Sequence, residues 1–215
     1  MEWQYQNPAM GGTHVPTTHT DLTAKGRRTR ERIIEAAAQL LLEHGIDRTT
    51  MEQIQLAAGV SASQLYHYFD NKRDLLAAVI QSRTEITLAN ELLANMTSLA
   101  DIRLWRDAVV LAAHRLGPRA GCPLATFAEQ ILDTDPELLD LIRDGLQRLT
   151  DLVANALEIM RDNGELRPDT DCQRLAVLIV TAYEGGLLVT QIQRTTAALQ
   201  IALDSAISMI EAHTF

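Results

Sequence analysis

Apolar residues recur at helical spacing along most of the chain. The first clear stripe predicts a helix over about 30–44, with Thr29 as its N-cap and Gly45 at its end. Its inward positions are Ile33, Ala37, Leu40, Leu41 and His44. No segment alternates apolar and polar residues convincingly enough for a strand, so the pattern predicts an all-α protein.

Eight further helices follow from the same spacing, which makes about nine in all. They cover about 51–58, 61–69, 72 through 93, 99–116, 123–132, 136–162, 171–193 and 196–212. The fourth begins near Lys72 and is long enough to connect the three N-terminal helices to the remainder of the chain.

The stretch 49–76 is the most informative part of the chain. Thr50 and Gln53 have the spacing of a capping box at the start of the second helix, and Ser61 and Gln64 repeat it at the start of the third. Gly59 ends the second helix, because glycine enters the left-handed conformation without a steric penalty. Two short helices joined by so tight a turn predict a helix-turn-helix.

The third helix has one apolar side and one polar side. Val60 and Leu65 have the spacing of a hydrophobic staple, and Leu65 and Phe69 form an inward face. The positions on its other faces are Ala62, Ser63, Gln64, Tyr66 and His67. Small residues at the front of a helix allow close approach, and amides and hydroxyls can hydrogen-bond base edges. We therefore interpret 61–69 as the helix that enters a DNA groove.

Two cations begin the fourth helix. Asn71 has the character of its N-cap, so Lys72 and Arg73 are its first residues, where the helix dipole disfavours positive charge. A DNA phosphate in front of them would offset that cost. The alternative is that both are solvated surface cations.

The net charge of −9 suggests at first that the chain does not bind DNA. However, residues 25–75 hold eight Lys or Arg and seven Asp or Glu, so the acidic excess lies elsewhere. A basic run precedes or opens the first helix at Lys25, Arg27, Arg28, Arg30 and Arg32. Screening limits interactions between exposed charges to about 8–10 Å at ordinary salt, so the local field decides phosphate binding.

The chain divides into three parts on this interpretation. Residues 1–24, rich in Thr, Gly and Pro, form a flexible arm; 25–71 form the helix-turn-helix domain; 72–215 form a second helical domain. Disorder or packing against a neighbour accounts for the arm, and its end, from Lys25 to Arg28, could instead enter a minor groove.

Cysteine usage and hydropathy indicate the compartment. Cys122 and Cys172 are too few for a disulfide framework and lie in no metal-like cluster, so we expect no metal, no cofactor and a reducing cytoplasm. We find no apolar run of the ~18–20 residues that a membrane span requires, and no signal peptide. No local set of nucleophile, base and orienting group indicates an enzyme.

The eighth and ninth predicted helices are unusually apolar. A helix that is apolar on most sides must be buried on most sides, so we favour a homodimer packed through these two helices as a four-helix bundle. An ordinary monomer core is the alternative. Gly185 and Gly186 weaken the eighth helix, and a close helix–helix approach could offset that cost.

Some residues of the second domain could line a pocket for a small organic effector, since aromatic surfaces with a few polar tips suit such ligands. They are Trp105, His114, Cys122, Phe127, Met160 and Tyr183. Ordinary core packing is the alternative for each. Cys122 would be a reactive thiol sensor if its pKa were lowered, and otherwise a small buried apolar residue.

Taken together, these residues resemble the TetR family of one-component transcriptional regulators. The match covers about 29–80. It includes Thr49-Thr50, Ile54, AAGVS at 57–61, LYHYF at 65–69, Lys72 and Leu75-Leu76. Gln55, Leu56 and Ser63 depart from the residues common in the family, which puts the operator sequence in doubt more than DNA binding itself.

The resemblance implies a dimeric repressor that binds a double-stranded, palindromic operator and releases it when an effector moves the fourth helix. It assigns phosphate contacts by position to Tyr66, Tyr68, Lys72 and either Thr49 or Thr50. It assigns base edges or nearby backbone to Ser63, Gln64 and His67. A helical protein-binding adaptor that keeps the fold without binding DNA is the alternative.

Overall fold

The computed structural model describes residues 22–117 and 121–215, and this part of the chain is helical with one isolated β-bridge, between Leu166 and Thr214. Ten helices follow one another along it. They are α1 (Ala24–His44), α2 (Met51–Ala58), α3 (Ala62–Tyr68), α4 (Lys72–Leu88), α5 (Glu91–Ala94), α6 (Leu99–Leu116), α7 (Pro123–Ile131), α8 (Pro136–Asp162), α9 (Cys172–Gln193) and α10 (Ala197–Glu211). The all-α prediction is confirmed.

Local capping determines where the short helices α2 and α3 begin. The Thr50 hydroxyl accepts from the backbone N–H of Gln53 at 3.3 Å, and the Gln53 side chain accepts from the N–H of Thr50 at 2.9 Å. Ser61 and Gln64 repeat the two hydrogen bonds, in the same order, at 3.1 and 3.0 Å. Gly59 ends α2 with φ +61°, a conformation that strains any residue with a Cβ. The structure therefore contains both predicted capping boxes and the predicted turn.

Two predicted boundaries are wrong. α1 begins at Ala24, not near residue 30, because Thr23 caps it by accepting from the N–H of Gly26, while the Thr29 hydroxyl donates to the Lys25 carbonyl inside the helix. Its first two turns are polar and carry no apolar stripe that would reveal them. Lys25 to Arg28 therefore belong to a helix and not to an arm; residues 1–21 lie outside the described part of the chain.

The fourth helix is also shorter than predicted. It ends at Leu88, and Leu93 lies instead in the separate short helix α5, which Asn90 caps by accepting from the N–H groups of Leu92 and Leu93. This extra helix raises the count from the nine expected to the ten observed in the described residues. Apolar residues keep a helical spacing across 72–93, so the spacing predicts one continuous helix. Asn90 interrupts it, because its side chain hydrogen-bonds to the backbone and starts a new helix.

Two apolar clusters form the interior. One joins α1 to α4 with α7 and the first turns of α8; the other joins α5, α6, α9 and α10 with the remainder of α8. Helix α4 reaches both, since Val79 and Ile80 are fully buried in the first cluster and Leu88 packs against the second. α4 and α8 are therefore the elements through which the two halves contact each other.

Helix α9 has the length and apolar composition that a membrane-spanning helix would have, which differs from our expectation. It packs between α8 and α10. A Cβ at Gly186 would lie 2.8 Å from the Cα of Leu199 in α10, so the predicted close approach is confirmed at this glycine. A Cβ built on Gly185 would have no described atom within 4 Å, and this glycine is exposed.

A second close approach, between α8 and α4, gives a test of this packing. A Cβ at Gly145 would lie 2.7 Å from Oγ1 and 3.2 Å from Cγ2 of Thr84, a buried and β-branched side chain. We expect Gly145→Ala to lower the free energy of unfolding by about 1–3 kcal/mol. Thr84→Ala in the same molecule should recover part of that loss, because it removes both atoms.

Chemical denaturation of the four proteins of this double-mutant cycle measures the coupling. Purely additive losses from the two substitutions would show that Thr84 is not what the new methyl group meets.

Candidate nucleic-acid interface and effector cleft

The third helix is held by one face and presents the other. Leu65 and Phe69 are buried together with Val60, which precedes the helix. Gly59 permits the sharp change of direction between α2 and α3. The residues expected on the outward faces are all exposed: Ala62, Ser63, Gln64, Tyr66 and His67. A rigid helix with small and polar residues outward matches the size and hydrogen-bonding pattern of a major groove.

Gln64 combines two roles in this helix. Its Oε1 accepts from the N–H of Ser61 at 3.0 Å, so the side-chain oxygen is used by the cap. Its side-chain NH₂ group makes no hydrogen bond to the described residues. The amide can therefore donate to a base while the cap stays intact.

The structure corrects the expectation for Thr49. Its side chain is fully buried, and its hydroxyl lies 2.8 Å from the Gly45 carbonyl and 3.2 Å from the Leu40 carbonyl, which accept from it. A phosphate cannot reach it there. Thr50 is exposed at the start of α2 and is the one threonine of the pair available to DNA.

Lys72 lies where the sequence places it, but most of its donors are occupied. Its Nζ donates to the carbonyl of Ile46 at 2.7 Å and to that of Thr49 at 3.0 Å. These contacts hold the loop between α1 and α2 against the start of α4. An ammonium has three N–H donors, so one is left for a phosphate.

The basic run of α1 divides by position. Arg28 is exposed, together with Lys25. Arg30 lies over the Phe69 ring at 5.2 Å, and burial lowers the pKa of its guanidinium. Arg32 donates from Nε to the Ala58 carbonyl at 2.8 Å, where it stabilises the C-terminus of α2. Part of the run therefore packs the helix-turn-helix, and part is free at its surface.

The amino-terminal end of α1 lies beside α3, which we call the reading helix because we interpret it as the helix that enters the DNA groove. The Tyr68 hydroxyl is 3.4 Å from the position that a Cβ on Gly26 would occupy, and Tyr68 is half-buried against the first apolar cluster. Tyr66 is about half exposed. The two tyrosines thus differ in what they can offer a phosphate, since only Tyr66 stands clear of the domain.

Arg73 does not face an anion outside the protein. Its Nε donates to Asp135 at 2.6 Å and its Nη2 to Glu137 at 2.6 Å, both at the start of α8. The hydrogen bond from Arg73 holds the pKa of Asp135 below its usual range. The predicted phosphate contact is therefore wrong for Arg73, which instead joins the start of α4 to the start of α8.

Gln130 makes a contact between α7 and the loop that precedes α2, one that sequence patterns did not reveal. Near the end of α7, its Oε1 accepts from the backbone N–H of Ile46 at 2.7 Å. The carbonyl of the same Ile46 accepts from Lys72. The peptide groups around Ile46 are thus held by α7 on one side and α4 on the other.

The second domain contains an apolar cleft of about 210 Å³ between α6 and α9. Trp105 and Tyr183 line it, with ring centroids 5.6 Å apart, together with Leu187 and Asn90. A smaller cavity of about 20 Å³ lies on the other side of Tyr183. Aromatic walls with few polar groups are what a small organic molecule requires.

The smaller cavity is lined by Cys122 from the start of α7 and by Glu184 from α9. Burial, with a further contribution from the Glu184 charge, raises the pKa of the Cys122 thiol to about 12. Burial also raises the pKa of the Glu184 carboxyl. A thiol with a raised pKa is a poor nucleophile, so the reactive-sensor interpretation of Cys122 is contradicted and the apolar one is favoured.

Three of the six expected pocket residues lie apart from these cavities. Phe127 is fully buried in the first apolar cluster, and Met160 is fully buried in the second. His114 is exposed near the end of α6. Apolar and aromatic character was not sufficient to distinguish a cavity wall from a core position. Glu184 was missed, although it and Arg174 are the only charged residues of α9, which was a usable signal.

Helix-turn-helix transcriptional regulators have this architecture: an outward-facing helix after a tight turn, on a three-helix unit joined to a larger helical domain. Comparison with known families agrees. Residues 33–79 match the model described as bacterial regulatory proteins, tetR family, and residues 98–206 match the tetracyclin repressor-like C-terminal domain. The chain belongs to the TetR family and is a DNA-binding transcriptional regulator.

Characterised relatives are distant. The transcriptional regulator UidR of Escherichia coli strain K12 is 22% identical over 167 residues, which are 78% of this chain and 84% of UidR. TtgR of Pseudomonas putida is 27% identical over 173 residues, 76% of this chain and 80% of TtgR.

Solved structures share the whole fold. A TetR regulator from Chloroflexus aurantiacus superposes with a TM-score of 0.74 at 26% identity, covering 89% of this chain and 98% of that one. A SmeT–triclosan complex gives a TM-score of 0.65 at 26% identity, covering 85% and 91%.

The thiol chemistry provides a pH test. Only the thiolate reacts with iodoacetamide, and an ordinary cysteine has a pKa of about 8.5. We expect the alkylation rate of Cys122 in the folded protein to keep rising up to at least about pH 10, because its pKa is raised to about 12. Cys172 is buried and should react only after unfolding. Mass spectrometry of timed samples, with protein in urea as the control, measures both; a plateau near neutral pH would contradict the assignment.

Proposed function

We propose that this regulator is a homodimeric repressor that leaves a palindromic operator when a small organic molecule enters the cleft between α6 and α9. The observation that carries the proposal is the geometry of α3, whose apolar side is completely buried while its polar side is free. Nothing in this role calls for catalysis. Operator binding also implies a cytoplasmic protein.

The proposed DNA contacts fall into two groups. Gln64, Ser63 and His67 face base edges, and Ala62 allows the close approach that these contacts need. Backbone phosphates are contacted by the exposed or half-exposed groups around them. These are Arg28, Thr50, Tyr66, Tyr68 and the remaining N–H of Lys72.

Gln64→Glu tests the assignment of the reading helix with little effect on folding. Glutamate can replace glutamine in a capping box, so the start of α3 is kept while the amide donor is lost. Since glutamine suits adenine and glutamate suits cytosine, we expect a changed base preference at one position of each half-site. Selection of bound duplexes from random DNA measures it, and the wild-type selection should yield two half-sites related by a two-fold axis.

Gln53→Glu is the matched control. Gln53 has the same capping role in α2 and is equally exposed, but it does not lie on the reading helix. It should leave the selected sequence unchanged. An unaltered preference in Gln64→Glu, or a selected wild-type site without symmetry, would contradict the proposed mode of binding.

The proposed dimer uses the exposed apolar side of α9 and its neighbour α10. Successive turns of α9 expose one stripe, formed by Val177, Thr181, Gly185, Leu188 and Ile192. Ile192 is 72% exposed and Ile201 of α10 is 67% exposed, which is unusual for isoleucine in a single folded chain. A Cβ built on Gly185 would meet no described atom within 4 Å, so this position leaves room for a partner helix to approach closely.

Leu188→Glu tests this interface. A carboxylate in an apolar, symmetric contact is placed close to its own copy, so both burial and like-charge repulsion oppose association. Light scattering should give twice the protomer mass of 23.8 kDa for the wild type and a mass close to 23.8 kDa for the variant. Leu56→Glu, at an exposed leucine of α2, should remain dimeric. A wild type of single-protomer mass would refute the dimer.

The proposed release of DNA relies on the elements that touch both ends of the molecule. Leu88 at the end of α4 lines the smaller cavity, and Lys72 at its beginning holds the loop before α2. Helix α7 begins directly after Cys122, which lines the smaller cavity, and carries Gln130, which contacts the same loop. A ligand that binds one arrangement of α4 and α7 more tightly than another increases the population of that arrangement. The positions of the two reading helices in the dimer change with it.

A further inference from the structure

Glu184 is a largely buried carboxylate whose neighbouring donor among the described residues is the Cys122 thiol, which is a weak one. Both of its oxygens are shielded from solvent, and neither accepts a hydrogen bond of ordinary length from a described N–H or O–H group. It lies in the second half of α9, a helix whose one other charged residue is Arg174, near its start. Removal of a carboxylate from water without a compensating partner is costly, so proteins retain such a group where something pairs with it.

The walls around Glu184 offer no cation. The smaller cavity is formed by Thr84 and Thr87 of α4, by Cys122, which caps α7, and by apolar residues that include those of α8. The nearby arginines of α4 and α8 are engaged elsewhere: Arg83 pairs with Glu35, and Arg148 pairs with Glu85. The compensating charge therefore does not come from the described part of the chain.

The larger cleft and the smaller cavity share Tyr183, the residue that precedes Glu184. Tyr183 lines both cavities, and its ring lies against that of Trp105. The cleft provides an apolar volume, and its two aromatic rings suit a positive charge as well as a hydrocarbon. A ligand with an apolar body and a cationic end would suit this arrangement. Its body would fill the cleft against the two rings, and its cationic end would lie near the carboxylate.

We propose that Glu184 is the counter-ion for a cationic effector: an apolar or aromatic molecule with a protonated amine. Its body occupies the cleft beside Trp105, and its ammonium reaches the carboxylate past Tyr183. This inference names the class of effector and so rests on the proposed function. Ammonium binding at Glu184 takes place against Thr84 and Thr87 of α4, the helix that leads to the DNA-binding domain.

Three probes with one shared hydrocarbon body separate charge from size. They are 4-phenylbutylamine, 4-phenylbutanol and 4-phenylbutyrate, which are cationic, neutral and anionic at neutral pH. Isothermal titration of the full chain should show the amine binding at least about tenfold more tightly than the alcohol, with the carboxylate weakest. Glu184→Gln keeps the shape of the side chain and removes its charge, so the amine and the alcohol should then bind within about twofold of each other.

Glu158→Gln is the matched control, because it makes the same chemical change at an exposed site on α8 and should leave the preference unaltered. Thermal unfolding gives a readout that needs no ligand: Glu184→Gln should be more stable than the wild type, since it removes an unpaired buried charge. Loss of stability in Glu184→Gln would indicate an internal partner and would overturn the proposal.

Arg119 lies outside the described residues and is close in sequence to Cys122. Arg119→Gln should therefore be titrated with the same amine. A gain of amine affinity in this variant would show that the chain supplies its own counter-ion, which also overturns the proposal. Equal binding of amine and alcohol by the wild type, or no binding of the amine at millimolar concentration, has the same consequence.

Operator binding in the same samples separates this inference from the proposed function. Amine binding that depends on Glu184 but leaves operator affinity unchanged would support the counter-ion and refute ligand-driven release. Release of the operator by the alcohol and the amine alike would support release and refute the counter-ion.

Discussion

The packing of α4 against both halves of the molecule is the constraint on which the rest depends. Val79 and Ile80 are buried with α1 in the first cluster, Thr84 meets Gly145 of α8, and Leu88 reaches the second cluster. Because interiors are close-packed, α4 cannot move at one end without a rearrangement at the other. Helix α4 therefore links the packing of the helix-turn-helix domain to that of the C-terminal helices.

Hydrogen bonds and ion pairs reinforce the same connection at the DNA-binding end. Gln130 accepts from the backbone N–H of Ile46, and Lys72 donates to the carbonyl of the same residue. Arg73 joins α4 to the start of α8. The ion pair is largely exposed and contributes little stability by itself. Its importance is geometric, since it sets the register between α4 and α8 close to the helix-turn-helix.

The region around the cleft between α6 and α9 has the opposite character, because the carboxylate beside it, that of Glu184, has no counter-ion among the described residues. The cleft is lined by small and aromatic residues, and Glu184 keeps a carboxylate in an apolar setting. Such a group costs stability in the free protein and contributes specificity when a matching charge arrives. Burial raises the pKa of the Cys122 thiol, which favours reversible binding over covalent sensing at this site.

The sequence by itself determined the local structure of this protein. Capping boxes at Thr50 and Ser61, the left-handed turn at Gly59 and the apolar face of α3 all depend on residues within four or five positions of each other, so their spacing predicts them. The same local reasoning placed the start of α1 too late, since its polar first turns have a cap but no apolar stripe. It also merged α5 with α4.

Only the tertiary structure decided which polar groups are buried and which partner each one meets. Thr49 is turned inward, Arg73 finds carboxylates more than sixty positions away, and Phe127 fills a core, not a pocket. Glu184 has no counter-ion among the described residues because the elements that line its cavity, which are distant in sequence, bring only hydroxyls, a thiol and apolar groups to it. Burial is a property of the assembled surfaces and not of any short segment, so residue type and spacing alone could not have determined it.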